Sequence, residues 1–206
     1  NAQDGISAIQ TAEGALNEAH SILQRMNELA TQSANDTNTT ADRTAVQSEV
    51  NALTNELSRI ASTSQFNTQN LLDGTFTGKN LQVGALENQK ITISIGTMNA
   101  KALGVDSLDV KSFTKAGDAM TLIQKAISKV SGQRSDLGAL QNRLEHTVNN
   151  LDNISENTQT AESRIRDTDM ASEMVQYSAT SIIQQAGQSM LAQANSQTLG
   201  VLSLIQ

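Results

Sequence analysis

The chain has 206 residues, a formal net charge of −7 and a pI near 4.8, and it contains no Cys, Pro or Trp. An acidic chain is poorly suited to non-specific binding of nucleic acid or of an anionic membrane, and no apolar run approaches the roughly 18 residues of a membrane span. The lack of Cys excludes disulfides and thiolate metal sites. Aromatic residues make up only 2%, so we expect long helices packed side by side rather than a thick core.

The first two predicted helices carry apolar residues at alternating steps of three and four. This spacing forms a heptad seam that faces a partner helix. The first helix is predicted over residues 1–34 and ends in "SANDTNTT", because Asn, Asp and Thr favour turns. The second is predicted over residues 42–63, with Thr40 as its cap. The seam residues are Ile9, Ala12, Leu16, Ala19, Leu23, Met26 and Ala30, then Val46, Val50, Leu53, Leu57 and Ile60.

Residues 64–111 form the one segment with a different period. "LQV" at 81–83 and "ITISI" at 91–95 alternate apolar with polar residues, which is typical of half-buried strands. "GALENQ" joins them, so we predict a β-hairpin. "LLDGT" at 71–75 predicts a turn in which Gly74 adopts a positive φ.

The strongest pattern lies in a long helix predicted over residues 112–167. A helix from Thr114 to Arg166 would be about 80 Å long at 1.5 Å per residue. The sequence therefore predicts a mainly α fold: an elongated, rod-like bundle of long coiled-coil-like helices with one small β-hairpin insert. The residues that recur once in every seven are Ile123, Val130, Leu137, Leu144, Leu151, Thr158 and Ile165.

The stretch "ESRIRDTDM" at 162–170 concentrates charge between the long helix and a last helix predicted over 168–206. Arginines in the last turn complement the negative end of a helix, and Thr168 and Asp169 are suited to cap the next one. The stretch is therefore interpreted as a joint between two helices. Its proposed residues are Arg164, Arg166, Asp167 and Asp169.

Motifs for catalysis or cofactor binding are nearly absent. His20 and His146 lie on different predicted helices without metal-ligand spacing, and no nucleophile elbow, phosphate loop or dinucleotide fingerprint is present. We therefore predict no enzymatic activity, no cofactor and no metal site. A self-assembling structural subunit and a helical adaptor or binding module both fit the periodicity. A hydrolase would have to use residues 75–111, which contain no His.

Four segments resemble, in the right order, the conserved segments of bacterial flagellin. They are "NAQDGISAIQTAEGALNEAHSILQRMNELATQSANDTNT", "FNTQNLLDGT", "QRSDLGALQNRLEHTVNNL" and "AESRIRDTDMASEMVQYSATSIIQQAGQSMLAQAN". The resemblance covers nearly the whole chain and implies a short flagellin with little or no variable outer domain. It implies a structural subunit of the flagellar filament, cytoplasmic before export and extracellular afterwards, with a helical rod around an inner layer of terminal helices.

The resemblance also implies three kinds of partner: other flagellin subunits, an export chaperone and the vertebrate Toll-like receptor that senses flagellin. The receptor would contact Arg25 and Leu29, in the stretch "LQRMNELATQ", together with Glu49. Because Leu23 and Met26 occupy the seam, we expect Leu29 to point outward. A simple surface ion pair between Arg25 and Glu49, or contacts between filament subunits, would also explain these residues. The chaperone and assembly contacts are assigned to Val175, Ile182, Ile183, Met190, Leu191 and Leu202.

Flagellins begin before the position matched by Asn1, with an export signal and an N-terminal inner helix. The resemblance therefore implies a chain truncated at its N-terminus. Such a chain is not expected to form native filaments by itself. Its last helix is expected to be disordered in the free monomer, because the apolar face would lack its partner.

Overall fold

The structure is a computed structural model that describes residues 1–205, with side-chain surroundings given for residues 1–197. The chain divides into two compact units, Asn1–Asn153 and Ile154–Gln206. Long helices dominate, so the prediction of a mainly α fold is confirmed. In chain order the elements are α1 (Ala2–Ser33), α2 (Thr40–Thr63), β1 (Gln65–Phe66), β2 (Gln69–Asn70), β3 (Lys79–Gln82), β4 (Lys90–Ile93), α3 (Ala100–Leu103), α4 (Phe113–Arg166) and α5 (Met170–Ile205).

In the first unit, α1 and the N-terminal part of α4 run antiparallel. The hydroxyl of Thr31 donates to the sulfur of Met120 at 3.3 Å, near the end of α1 and the start of α4. Glu13 and Arg134 form an ion pair at 3.6 Å, nearer the start of α1 and further along α4. The α4 residue number rises as the α1 number falls, so the two helices point in opposite directions.

The heptad seam of α4 is fully buried from Ile123 to Leu144 and not beyond. Ile123, Val130, Leu137 and Leu144 are fully buried and belong to the same apolar core as the α1 seam. Ile165, at the end of the same repeat, is 88% exposed and lies in the second unit. The repeat predicts which residues face a partner helix, and the first unit supplies that partner as far as Leu144.

Two glycines lie where neighbouring elements approach closely. A Cβ on Gly5 would lie 2.2 Å from Cδ1 of Leu81 and 3.4 Å from Cδ1 of Leu144. Gly5 therefore lies where side chains of β3 and α4 pack closely against α1. Gly74 has φ +94°, and a Cβ there would lie 2.1 Å from the hydroxyl of Thr97, so the predicted turn with positive φ is confirmed.

The predicted hairpin is present, with Leu81 paired to Ile91 in an antiparallel register. Ile91 and Ile93 are buried and Thr92 between them is exposed, which is the alternation expected of a half-buried strand. The paired strands are β3 and β4, which begin one or two residues earlier than the predicted apolar runs.

A second antiparallel ladder, β1 with β2, was not predicted. The two residues of its turn, Asn67 and Thr68, have φ of +47° and +63°. Two-residue hairpins favour positive φ at both turn positions, which Asn tolerates and β-branched Thr does not. The sequence therefore gives only half of the usual signal for this turn.

The start of α2 is fixed by a capping box at Thr39 rather than by Thr40 as predicted. The backbone amide of Asp42 donates to the Thr39 hydroxyl at 3.3 Å, and the Thr39 amide donates to the Asp42 carboxylate at 2.9 Å. Hydrogen bonds from the hydroxyl and then the amide of Thr39 lower the pKa of Asp42. The helix consequently begins at Thr40, two residues before the predicted start.

A buried polar contact holds the segment before α4 against α1 and α2. The amide nitrogen of Gln47 donates to the carbonyl of Leu108 at 2.8 Å, and its oxygen accepts from the backbone of Val110 at 2.8 Å. The hydroxyl of Ser33 donates to the Val110 carbonyl. Because buried polar groups must be paired, these bonds fix where the chain enters α4.

Replacing Leu144 with Ala should lower the free energy of unfolding by about 2–5 kcal/mol, because it removes a fully buried side chain from the α4 seam. Leu122→Ala is the control on the same helix, since Leu122 is 41% exposed and should cost about 0.5–1 kcal/mol. Urea denaturation followed by circular dichroism measures both. Equal losses for the two variants would contradict the seam.

Candidate functional site

The charged stretch 162–170 ends one helix and starts the next. Arg164 and Arg166 lie in the last turn of α4, and Arg166 forms an ion pair with Glu162 at 3.0 Å. The carboxylate of Asp169 accepts the backbone amides of residues 171 and 172 at 3.0 and 3.3 Å. Asp169 therefore caps α5, and the hydrogen bonds of this stretch serve the two helix ends.

The surface of α5 is apolar and uncovered over its described side chains. Every residue from 170 to 197 is exposed except Ser181, which is half-buried. We call the large apolar side chains of this helix the α5 apolar surface; each is between 57 and 71% exposed. Its members are Met170, Met174, Val175, Tyr177, Ile182, Ile183, Met190 and Leu191.

Five of the six predicted chaperone and assembly residues belong to the α5 apolar surface. The sixth, Leu202, lies outside the residues whose side chains the structure describes. The segment is a helix from Met170 to Ile205, and its large apolar side chains are exposed. That this helix is disordered in the free monomer stays a prediction.

The α5 apolar surface extends around the helix instead of forming one stripe. Successive residues are about 100° apart around an α-helix. Met170 and Met190 therefore point in nearly opposite directions. Ile182 points between them, and Ile183 points close to Met190. A helix that is apolar on several sides is normally buried on several sides, and a large exposed apolar area marks an interaction site.

Arg25 and Glu49 form an ion pair between α1 and α2. The Nη2 atom of Arg25 lies 2.9 Å from Glu49, and Nη1 lies 3.2 Å from Glu28. The hydrogen bond to Glu49, with a second to Glu28, raises the pKa of Arg25. The Arg25 and Glu49 side chains are 51 and 46% exposed, so this pair lies at the surface with its guanidinium held in place on two sides.

Leu29 is buried, with 1% of its surface exposed, and the expectation of an outward side chain was wrong. Arg25, Leu29 and Ser33 are four residues apart and share one face of α1. Both outer members contact α2, because Arg25 pairs with Glu49 and the Ser33 carbonyl accepts from Arg43 at 3.1 Å. Leu29 lies between those contacts and is therefore covered by α2.

The described chain also has open surface depressions. An open depression of about 300 Å³ beside α2 and α3 is lined by short polar side chains with Asp73, Lys101 and Asp106. Among residues 1–205, no three His, Asp or Glu side chains come together as a group that could hold a metal ion. No helix in that range combines the length and apolarity needed to cross a bilayer.

Long helices packed through heptad seams, with exposed apolar side chains on the last helix, are typical of structural proteins that associate through helices. Residues 1–77 match the family profile described as the bacterial flagellin N-terminal helical region. Residues 120–205 match the profile described as the bacterial flagellin C-terminal helical region. The chain belongs to the bacterial flagellin family.

Individual relatives agree with this assignment. The chain is 52% identical to flagellin of Halalkalibacterium halodurans over 100% of its own length and 76% of that protein. The values for flagellin of Bacillus subtilis are 45%, 100% and 79%. The crystal structure of Bacillus cereus flagellin is 33% identical with a TM-score of 0.63, covering 73% of this chain and 87% of that one.

Family membership establishes the general role of the chain. The chain is a structural subunit of the bacterial flagellar filament and assembles with other flagellin subunits. Its homologues form the extracellular filament. This result decides between the two helical alternatives left open by the periodicity, in favour of the self-assembling subunit over an unrelated adaptor.

Replacing Leu29 with Ala should lower the free energy of unfolding by about 2–5 kcal/mol, since the side chain is buried. Arg25→Ala should change stability little, because an exposed ion pair contributes little. Urea denaturation of both variants tests the corrected placement. An unchanged free energy of unfolding for Leu29→Ala would contradict the buried placement of Leu29.

Proposed function

We propose that α5 is a docking helix, covered by an export chaperone before assembly and by neighbouring subunits within the filament. The observation that carries this proposal is the α5 apolar surface, whose eight side chains are all more than half exposed. No other described helix leaves so many large apolar side chains in water. Membership in a family that forms filaments supplies the reason for such a surface.

The free energy available on docking is large enough for both partners. Burying one Val, Leu, Ile or Met side chain contributes about 1.5–3 kcal/mol, and the α5 apolar surface holds eight large residues. Part of that gain is offset by the cost of association and of ordering side chains. Enough remains for a stable complex even if only one side of the helix is covered at a time.

Two successive partners also suit the chemistry of the surface. An uncovered apolar helix promotes association with any similar surface, including a second copy of this chain. A chaperone that covers α5 in the cytoplasm would prevent association before export. Release of the chaperone would then leave the same side chains free to be buried between subunits.

The double variant Ile182→Asn with Ile183→Asn should bind the family's export chaperone at least about a hundredfold more weakly, because burial of two isoleucines contributes about 3 kcal/mol or more. Isothermal titration calorimetry with the full chain measures the affinity. The unfolding midpoint of the first unit should not change, since both side chains are exposed in the free protein.

Gln184→Asn with Gln185→Asn is the matched control for this experiment. These residues lie on the same turn of α5 and are also exposed, but they are polar before and after the change. Their affinity should stay near that of the unaltered protein. Equal weakening by both double variants would point to loss of helix rather than loss of contact, and unchanged binding by the isoleucine variant would refute the chaperone site.

A second proposal concerns the vertebrate Toll-like receptor that senses flagellin. We propose that Arg25 and Glu49 contact this receptor directly and that Leu29 supports them from beneath. The supporting observation is the half-exposed guanidinium of Arg25, held by two carboxylates with donors still facing solvent. Arg is frequently an anchor in protein interfaces because its fork of donors is rigid.

Arg25→Ala and Glu49→Ala should each weaken receptor binding by about tenfold or more. Leu29→Met, which keeps the buried volume, should bind nearly as well as the unaltered protein. Arg59→Ala is the matched control, because Arg59 forms a similar exposed pair with Glu56 on α2. Surface plasmon resonance with the receptor ectodomain measures all four. Losses as large for Arg59→Ala as for Arg25→Ala would show a non-specific charge effect.

A further inference from the structure

The six methionines of the chain divide sharply between its two units. Met26 and Met98 are buried and Met120 is half-buried in the first unit. The three methionines of the second unit, Met170, Met174 and Met190, are 67, 57 and 71% exposed and belong to the α5 apolar surface. Because the chain contains no Cys, methionine supplies all of its sulfur.

We propose that Met170, Met174 and Met190 form an oxidation-sensitive site, at which peroxide converts the thioethers to sulfoxides and thereby weakens docking of α5. This inference rests on the proposed docking function of the helix. Methionine oxidation follows exposure of the sulfur, and these three side chains are the most accessible methionines among the described residues.

The reaction is a two-electron oxidation of each sulfur by hydrogen peroxide. A lone pair of the thioether sulfur attacks one peroxide oxygen, an S–O bond forms and the O–O bond breaks. The second oxygen leaves as water after taking up the proton of the transferred oxygen, so one peroxide gives one sulfoxide and one water. No side chain of the protein has to act as acid or base.

The sulfoxide changes docking without changing the free subunit much. In the free protein the new S=O group is solvated, because each of the three side chains is exposed. In a docked state the same oxygen must leave water and enter an apolar contact, where an unpaired polar group is unfavourable. The penalty therefore falls on the complex.

The positions of the three residues extend this effect around the helix. Met170 and Met174 are one turn apart and lie on the same side of α5, and Met190 points to nearly the opposite side. Partners that cover different sides of the helix would therefore each meet at least one sulfoxide. In the first unit, Met26 is buried and therefore protected from peroxide. The fold should consequently survive mild treatment.

Peptide mass spectrometry of the full chain during treatment with dilute hydrogen peroxide tests the site itself. Met170, Met174 and Met190 should be oxidised at least about tenfold faster than Met26, because oxidation of a core residue requires local opening. Far-ultraviolet circular dichroism should remain unchanged over the same period. Oxidation of Met26 at the rate of the α5 methionines would overturn the proposal.

Isothermal titration calorimetry with the family's export chaperone tests the consequence. The oxidised chain should bind the chaperone at least about tenfold more weakly than the same chain before treatment. The matched protein carries Met170→Leu, Met174→Leu and Met190→Leu, with similar volumes and no oxidisable sulfur on α5. Each protein is compared with its own untreated sample, and the triple variant should lose little on treatment.

The outcomes separate this inference from the docking proposal. If Ile182→Asn with Ile183→Asn weakens chaperone binding but oxidation of the unaltered chain does not, α5 docks and the oxidation site is wrong. If the isoleucine variant binds the chaperone normally, the docking proposal itself fails. Equal weakening of chaperone binding by peroxide in the unaltered chain and in the triple variant would place the damage elsewhere and overturn the inference.

Discussion

Packing of α1 against both α2 and α4 is the contact on which the first unit depends. The α1 stripe from Ile9 to Ala30 is buried almost completely, and it is covered on one side by α2 and on another by the antiparallel α4. The core contains few aromatic side chains, so its area comes from many Leu, Ile, Val and Ala residues at regular spacing. Gly5 and the Gln47 contacts serve the same packing, because they fix where the hairpin and the start of α4 lie against it.

Periodicity predicted the long helices and their seams because helix packing repeats every seven residues, as the burial of Leu144 illustrates. It misplaced Leu29 because a heptad seam assumes one partner helix, whereas α1 has two. Other features depend on distant residues or on small differences. Gln47 is a polar residue on a helix until Val110 is placed beside it, and Thr39 and Thr40 differ by one position as caps. The turn at Asn67 and Thr68 contains a residue that ordinarily disfavours its backbone conformation.

At the candidate site, the sequence cannot predict what covers the last helix. The sequence identified α5 as apolar and the stretch around Asp169 as a joint, but an apolar helix can be covered by its own chain or by another. The structure leaves the described α5 side chains in solvent. The α4 seam makes the same distinction within one helix, because the repeat continues to Ile165 while burial of its large residues extends to Leu144. An apolar seam predicts packing against a partner helix. Only the structure shows which seam residues are buried by helices of the same chain.

The antiparallel pairing of α1 with α4 also orders events during synthesis. The α1 residues that α4 covers are made first, and their partners follow about 100 residues later. At about 5–20 residues per second, the ribosome leaves this stripe without α4 for roughly 5–20 s. During that interval α2 and the hairpins are already made and can cover part of it. Contacts so distant along the chain also slow folding, so the nascent subunit passes through a stage in which its largest apolar stripe is half covered.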